Sequence, residues 1–137
     1  MILLDTGPLV ALFDKRDSAY EACRAVLSEI SDPLVTTLPV VTEALFLLNG
    51  SATAQQACLS ALVKGMAQIH HLSESNFARA AALMQKYSDF PMDFADATLV
   101  AVAEHLKIKT VFTLDQRDFR LYHPKHTRHF QLLPETI

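Results

Sequence analysis

The sequence contains few of the residues that mark fibrous, disordered or disulfide-linked proteins. Its 137 residues include three Gly, six Pro, two Cys and no Trp, while 50% are hydrophobic and 20% are charged. So little Gly and Pro excludes collagen-like and low-complexity chains, and so many apolar residues exclude intrinsic disorder. Two cysteines, Cys23 and Cys58, cannot frame a domain of this size, so we expect free buried thiols. The length predicts one domain over residues 1–137 with a hydrophobic core.

Long hydrophobic runs are also missing from the sequence. Apolar stretches such as residues 44–48 and 100–103 are far shorter than the roughly 20 residues that a membrane-spanning helix needs. Residues 1–5 have no basic segment ahead of their apolar positions, whereas a secretory signal peptide does. We therefore expect a cytoplasmic protein that does not enter a membrane.

The charge is small but unevenly distributed. A net charge of −3 argues against an indiscriminate nucleic-acid coat. Residues 105–130 nevertheless contain six Lys or Arg against two Asp, a local charge of +4. Such a basic end can guide a polyanion toward an acidic site, and a merely solvated surface gives the same count.

Short apolar segments alternate with segments of helical periodicity. The predicted strands cover residues 2–4, 34–37, 69–72, 110–114 and 130–133. The predicted helices begin at Pro8 and cover residues 18–30, 39–48, 54–68, 76–88 and 94–106. Residues 116–128 have little periodicity and are expected to form an exposed loop. Strands this short and apolar, alternating with helices, predict an α/β fold with a central parallel sheet and helices on both faces.

Two acids directly follow predicted strands. Asp5 ends the first strand and Asp115 ends the strand at residues 110–114. Ligands of open parallel sheets collect at the carboxyl ends of the strands, so both side chains should emerge at one edge. Asp also favours turns and helix caps, and that interpretation remains open for each of them.

Two further acids lie on predicted helices, and a third directly precedes one of them. At helical spacing the neighbours of Glu43 and Asp96 are apolar, so each carboxylate heads a face that should be buried. Acids are almost never buried unpaired. An acid that favours the helix dipole is the alternative for both, and Asp93 is also placed to cap the helix that starts at residue 94.

Carboxylates that converge at one edge without nearby lysines repel each other unless a cation joins them. Ligation by carboxylates alone suits Mg²⁺ or Mn²⁺, whereas zinc prefers His or Cys at tight spacing. Such an ion can activate water and neutralise the charge that develops in phosphodiester hydrolysis. The sequence has neither a Gly-rich phosphate loop nor a nucleophile elbow, which argues against an NTPase and against acyl transfer.

Four segments carry these residues in order along the chain. They are residues 3–8 with Asp5, 39–48 with Glu43, 93–97 with Asp93 and Asp96, and 113–119 with Thr113 and Asp115. Together they resemble the PIN-domain ribonucleases, especially the VapC-like toxins of bacterial toxin–antitoxin pairs. Each segment is weak alone, but the ordered set is fairly specific and covers nearly the whole chain.

The resemblance implies a Mg²⁺- or Mn²⁺-dependent endoribonuclease that acts on RNA, usually as a homodimer inhibited by an antitoxin protein. Carried over by position, the catalytic and metal-binding acids would be Asp5, Glu43, Asp96 and Asp115. Asp93 looks like the extra acid found in some members, and Thr6 like a residue that holds the first loop. Thr113 looks like a hydroxyl that supports the site, although a β-branched strand residue is expected there in any case.

Other functions remain open on sequence grounds. One is a catalytically silent PIN-like module that binds RNA or protein, and another is an orphan RNA-processing nuclease. A third is a phosphoryl-transfer domain with Asp5 as the nucleophile. It is disfavoured because the phosphatase pattern needs a second acid two residues later, where Gly7 stands.

The helices at residues 54–68 and 76–88 carry enough apolar side chains for a two-fold interface. The side chains concerned are Leu59, Leu62, Val63, Met66, Phe77, Ala81 and Met84. They fit a homodimer, and they fit equally well as the completion of a monomer core.

Overall fold

A computed structural model describes residues 1–135 and contains a five-stranded sheet in which every strand pairing is parallel. The strands are β1 (Ile2–Leu4), β2 (Leu34–Thr36), β3 (Gln68–Ile69), β4 (Thr110–Phe112) and β5 (Gln131–Leu133). The helices are α1 (Thr6–Ala11), α2 (Tyr20–Glu29), α3 (Leu38–Leu47), α4 (Ala52–Val63), α5 (Glu74–Lys86), α6 (Phe94–Leu106) and α7 (Gln116–Leu121).

The strand order is β3-β2-β1-β4-β5, so the order in which strands are added reverses between β1 and β4. From β1 the chain builds outward to β2 and β3, and then returns to add β4 and β5 on the other side. Crossovers between parallel strands are right-handed, so the two directions of growth place helices on opposite faces of the sheet. The predicted α/β class is confirmed.

The core is built on the three central strands and on α6. Leu3, Leu4 and Phe112 are fully buried, as expected for strands covered on both faces. In α6 every residue from 95 to 103 is buried, because this helix packs against both α5 and α3. Cys23 and Cys58 are free and buried, as predicted. Among residues 1–135, no helix is long and apolar enough to cross a membrane.

Capping residues explain where two helices differ from the prediction. Ser73 caps α5 in a capping box with Asn76, and the Ser51 side chain accepts a hydrogen bond from the backbone N–H of Ala54 in α4. Both helices therefore begin two residues before the apolar spacing alone suggests. Helix α4 ends at Val63 rather than at residue 68, and the chain turns through Gly65, which has a φ of 94°.

The prediction of a loop at residues 116–128 is wrong for its first half. Residues 116–121 form α7, in which Gln116 and Phe119 are buried, and the following Tyr122 is buried too. These three residues recur every third position and face the interior. A six-residue helix offers only two such repeats among charged neighbours, which is too few to recognise as a pattern.

Candidate active site

The candidate site lies at the carboxyl ends of β1 and β4, where the strand order reverses. Asp5 follows β1 and still pairs with β4, because its backbone N–H donates to the carbonyl oxygen of Phe112 at 3.0 Å. Asp115 lies three residues beyond the end of β4. Loops after neighbouring strands diverge at such a reversal and leave a crevice. The structure thus places both strand-end acids at one edge of the sheet, as expected.

Asp5 and Asp115 occupy the N-cap positions of α1 and α7, yet neither side chain makes a capping hydrogen bond. Thr113 joins them instead. Its Oγ1 donates to Asp5 Oδ2 at 2.7 Å and accepts from the backbone N–H of Asp115 at 2.9 Å. The capping alternative therefore does not account for these carboxylates, and the Thr113 hydroxyl supports both residues.

Gly7 allows the start of α1 to lie against Leu114, in the segment that follows β4. A Cβ at this position would lie 3.2 Å from Cβ of Leu114, and two further Leu114 atoms would lie at 3.3 Å. This contact sets the spacing between the loop that carries Asp5 and the loop that carries Asp115.

Glu43 reaches the site from α3, a helix that packs against α1 and α6. Its side chain is half-buried, and the Thr6 hydroxyl donates to its Oε2 at 3.4 Å. Thr6 begins α1, so this long hydrogen bond links α3 to the loop that carries Asp5. Glu43 is therefore tied to the site more loosely than Asp5 is.

Asp96 and Asp93 reach the site from the start of α6 in different ways. Asp96 is only 7% exposed, and its Oδ2 accepts a hydrogen bond from the Tyr122 hydroxyl at 2.8 Å. Asp93 is exposed, and its Oδ1 accepts from the backbone N–H of Asp96 at 2.8 Å. The capping interpretation of Asp93 is confirmed, whereas Asp96 is a buried acid held by a long-range contact.

Sequence reasoning missed Tyr122. The residue is 26 positions from Asp96, in the segment expected to be a loop. The one local signal is that Tyr122 follows Phe119 by three residues. At that spacing the two side chains lie on the same apolar face at the end of α7.

The five acids form a region of negative charge, named here the acidic basin: Asp5, Glu43, Asp93, Asp96 and Asp115. Burial, and then the charges of neighbouring carboxylates, raise the pKa of Asp5 to about 6 and that of Asp96 to about 8. Burial also raises the pKa of Glu43, with the charge of Asp93 adding to it, and the pKa of Asp115, with Asp118 adding to it. The charged neighbours that shift these four pKa values are all carboxylates, so no basic side chain among them offsets the repulsion.

The donor chemistry of the acidic basin fits a hard divalent cation. Its ligating atoms are carboxylate oxygens, the donors that Mg²⁺ and Mn²⁺ prefer. As the side chains stand, no group of three or more acidic, His or Cys residues within residues 1–135 is arranged to hold a metal ion. The carboxylates therefore form a negatively charged region rather than a finished ligand cage.

An apolar groove of about 950 Å³ opens beside the acidic basin, and Glu43 and Asp93 line both. Its apolar walls come from α3, from the chain after β3 and from the first turns of α5 and α6. Phe46 and Phe77 in these walls are 68% and 52% exposed. A single chain thus leaves large aromatic side chains uncovered next to the acids.

The PIN domain family model matches residues 2–123 of the chain. The chain belongs to the PIN domain family. Ribonuclease VapC26 of Mycobacterium tuberculosis is 28% identical to this PIN domain over 135 residues, which cover 97% of this chain and 100% of that protein. The family resemblance stated from the four sequence segments is confirmed.

Solved structures share the fold of this PIN domain. VapC20 of Mycobacterium tuberculosis, described as a sarcin–ricin loop cleaving toxin, aligns with a TM-score of 0.75 at 19% identity, over 81% of this chain and 87% of that one. A toxin–antitoxin complex from Klebsiella pneumoniae aligns with a TM-score of 0.71 at 22% identity, over 95% and 99%. At these identities the likeness concerns the fold alone.

Proposed function

We propose that this PIN domain is a divalent-metal-dependent endoribonuclease and the toxin of a toxin–antitoxin pair. The observation that carries the proposal is the convergence of Asp5, Glu43, Asp96 and Asp115 at the reversal of strand order, with no cation among the groups that shift their pKa values. The similarity to Ribonuclease VapC26 along nearly the whole chain supports RNA as the substrate.

Asp5, Asp96, Asp115 and Glu43 would hold Mg²⁺ or Mn²⁺, with some inward movement of their side chains. When bound, such an ion lowers the pKa of a water molecule and neutralises charge on the phosphate. A bound cation would relieve the repulsion among these carboxylates, and this relief favours the movement. The pKa values of all four acids are raised by that repulsion and by the cost of burying a charge.

The chain's own residues would divide the work. Asp5 and Asp96 are the most buried acids, and each is held by a hydroxyl, so they supply fixed ligands. Glu43 is half-buried and held only by a 3.4 Å hydrogen bond, so its side chain has the freedom to move toward the ion.

The basic segment would attract the RNA backbone. All six Lys and Arg side chains of residues 105–130 are exposed. Arg117 lies two residues after Asp115, so the positive surface begins next to the acidic basin. Single-stranded RNA, whose bases and phosphates are unpaired and accessible, is the form that reaches a narrow acidic site.

We also propose a homodimer that is paired through the apolar groove. A soluble chain rarely leaves a contiguous apolar patch uncovered, and the groove carries exposed Leu38, Phe46, Phe77 and Phe94. Of the two helices expected from the sequence to pair, only α5 contributes to the groove, through Phe77. Phe46→Glu should convert a dimer to a monomer in light scattering, and a monomeric parent protein would refute pairing.

An antitoxin partner is the remaining part of the proposal. The Klebsiella pneumoniae structure that shares this fold is a toxin–antitoxin complex. Expression of the chain alone should arrest growth, and co-expression of a small DNA-binding protein encoded by an overlapping upstream frame should relieve the arrest if such a frame is found. Harmless expression would instead favour an orphan RNA-processing nuclease.

The decisive experiment for the activity is cleavage of a labelled single-stranded RNA by the purified protein. The expected result is cleavage with Mn²⁺ or Mg²⁺, none in EDTA, and a loss of more than about 100-fold in Asp96→Asn, beyond the range typical of residues outside the ligand shell. Asp32→Asn is the matched control, because it removes the same charge from an exposed position outside the site. Equal cleavage by the two variants would reject the assignment, and a protein that binds RNA without cutting it would be a silent PIN module.

A further inference from the structure

Tyr122 is a buried residue whose hydroxyl reaches the acidic basin. Its side chain is 2% exposed, and Oη donates to Asp96 Oδ2 at 2.8 Å. The residue directly follows α7 and lies outside the four sequence segments that carry the family resemblance. A core tyrosine usually places its hydroxyl on any available acceptor, and here that acceptor is an acid of the site.

The Tyr122 ring is held in one orientation by two other aromatic rings. It makes edge-on contacts with Phe119 at a centroid distance of 5.1 Å and with Tyr87 at 5.2 Å. Both contacts are made by the rings themselves and do not depend on the Tyr87 hydroxyl, which accepts a hydrogen bond from the backbone N–H of His123 at 2.8 Å. The ends of α5 and α7 thus clamp the phenol, which can leave Asp96 only by breaking these contacts.

We propose that Tyr122 is a positioning residue for Asp96. By donating to Oδ2, the hydroxyl restricts the rotation of the carboxylate and leaves Oδ1 available to a divalent cation. Thr113 makes the same kind of hydrogen bond to Asp5, so a hydroxyl from the chain after β4 orients each of the two most buried acids. Groups that hydrogen-bond to a ligating carboxylate tune its orientation and affinity in metal sites generally.

The inference rests on the proposed metal-dependent function, and Tyr122→Phe isolates it. This change removes one oxygen and keeps the ring that packs on Phe119. Tyr87→Phe is the matched control, since it removes the hydroxyl of the neighbouring tyrosine, which bonds to the backbone and not to an acid. Both variants lose one hydroxyl from the same aromatic cluster.

The experiment is a calorimetric titration of the metal-free full-length protein with Mn²⁺. Tyr122→Phe should weaken Mn²⁺ binding by about 10-fold, the lower end of the range for residues that support a ligand. Tyr87→Phe should leave Mn²⁺ affinity unchanged even if it lowers the melting temperature. In RNA cleavage, Tyr122→Phe should lower kcat at limiting Mn²⁺ with KM for RNA unchanged, and added Mn²⁺ should restore much of the loss.

A double-variant cycle tests whether the effect passes through Asp96. In an Asp96→Asn background, Tyr122→Phe should cause no further loss of Mn²⁺ affinity. Wild-type affinity in Tyr122→Phe would overturn the proposal, and so would an equal loss in both phenylalanine variants, which would indicate general loosening. A parent protein that binds no Mn²⁺ would overturn it as well. Mn²⁺ binding that depends on Tyr122 in a protein that cuts no RNA would uphold the positioning role and reject the ribonuclease.

Discussion

The metal-free protein should lose stability as the pH rises from about 4 to about 9. The pKa of Asp5 is raised from 3.8 to about 6 in the folded chain, and that of Asp96 is raised from 3.8 to about 8. A group with a raised pKa holds its proton more tightly when folded. Its stabilising contribution is therefore complete below the unfolded pKa and is lost as the pH rises through the folded pKa.

The size of the stability loss follows from the size of the two pKa shifts. One pH unit corresponds to about 1.4 kcal/mol, so Asp5 alone accounts for a loss of about 3 kcal/mol between pH 4 and pH 6. The pKa of Asp96 is raised further than that of Asp5, so the decline continues to about pH 8. Domains of this kind unfold with about 5–15 kcal/mol, so the change is a large share of the total.

The assay is urea unfolding in EDTA at pH 4.5, 6.5 and 8.5, followed by circular dichroism. Asp96→Asn should flatten the decline between pH 6.5 and 8.5 and should be more stable than the parent protein at pH 8.5. Asp32→Asn, which removes an exposed charge, should follow the parent at every pH. Millimolar Mg²⁺ should restore stability at pH 8.5, because it binds only the folded chain. A parent protein whose stability stays constant or rises over this range would refute the reasoning, as would a decline in Asp96→Asn equal to that of the parent.

Three further substitutions test residues that support the acidic basin or lie beside it. Thr113→Val removes the hydrogen bonds to Asp5 Oδ2 and from the Asp115 N–H, and should lower the unfolding free energy by about 2–3 kcal/mol in urea titrations. A smaller loss in Thr113→Ser than in Thr113→Val would tie the effect to the hydroxyl. Gly7→Ala brings a methyl group against Leu114 and should cost about 1–3 kcal/mol in thermal unfolding, with no loss if the contact is dispensable. Arg117→Glu should raise KM for RNA, leave kcat unchanged and reduce the salt dependence of binding, and an unaltered KM would exclude this end of the basic segment from RNA contact.

Helices and strands that are buried on every side could be predicted from the sequence. Helix α6 is apolar all round because it is buried all round, and its bounds agree with the prediction at both ends. The strands β1 and β4 are short apolar runs for the same reason, and strand ends that carry acids point to one edge. The positions of Asp5 and Asp115 therefore follow from local pattern and from the rules of parallel sheets.

Features that depend on contacts between distant segments could not be predicted. The sequence distinguishes Asp93, placed to cap α6, from Asp96, which heads an apolar face, and the structure agrees for both. The partner of Asp96 could not be predicted, because Tyr122 follows a six-residue helix that is too short to show its period. The apolar groove likewise gathers side chains from α3, α5 and α6, and only the folded chain brings them together.

The central claim, that these carboxylates hold a divalent cation, is tested most directly by anomalous diffraction from crystals soaked in Mn²⁺. The account predicts a manganese peak in the acidic basin, at about 2.1 Å from oxygens of Asp5 and Asp96, the distance expected for a small hard cation. The peak should be much weaker in Asp96→Asn than in Asp32→Asn. A basin without manganese at saturating concentration, or a peak of equal height in the two variants, would contradict the account.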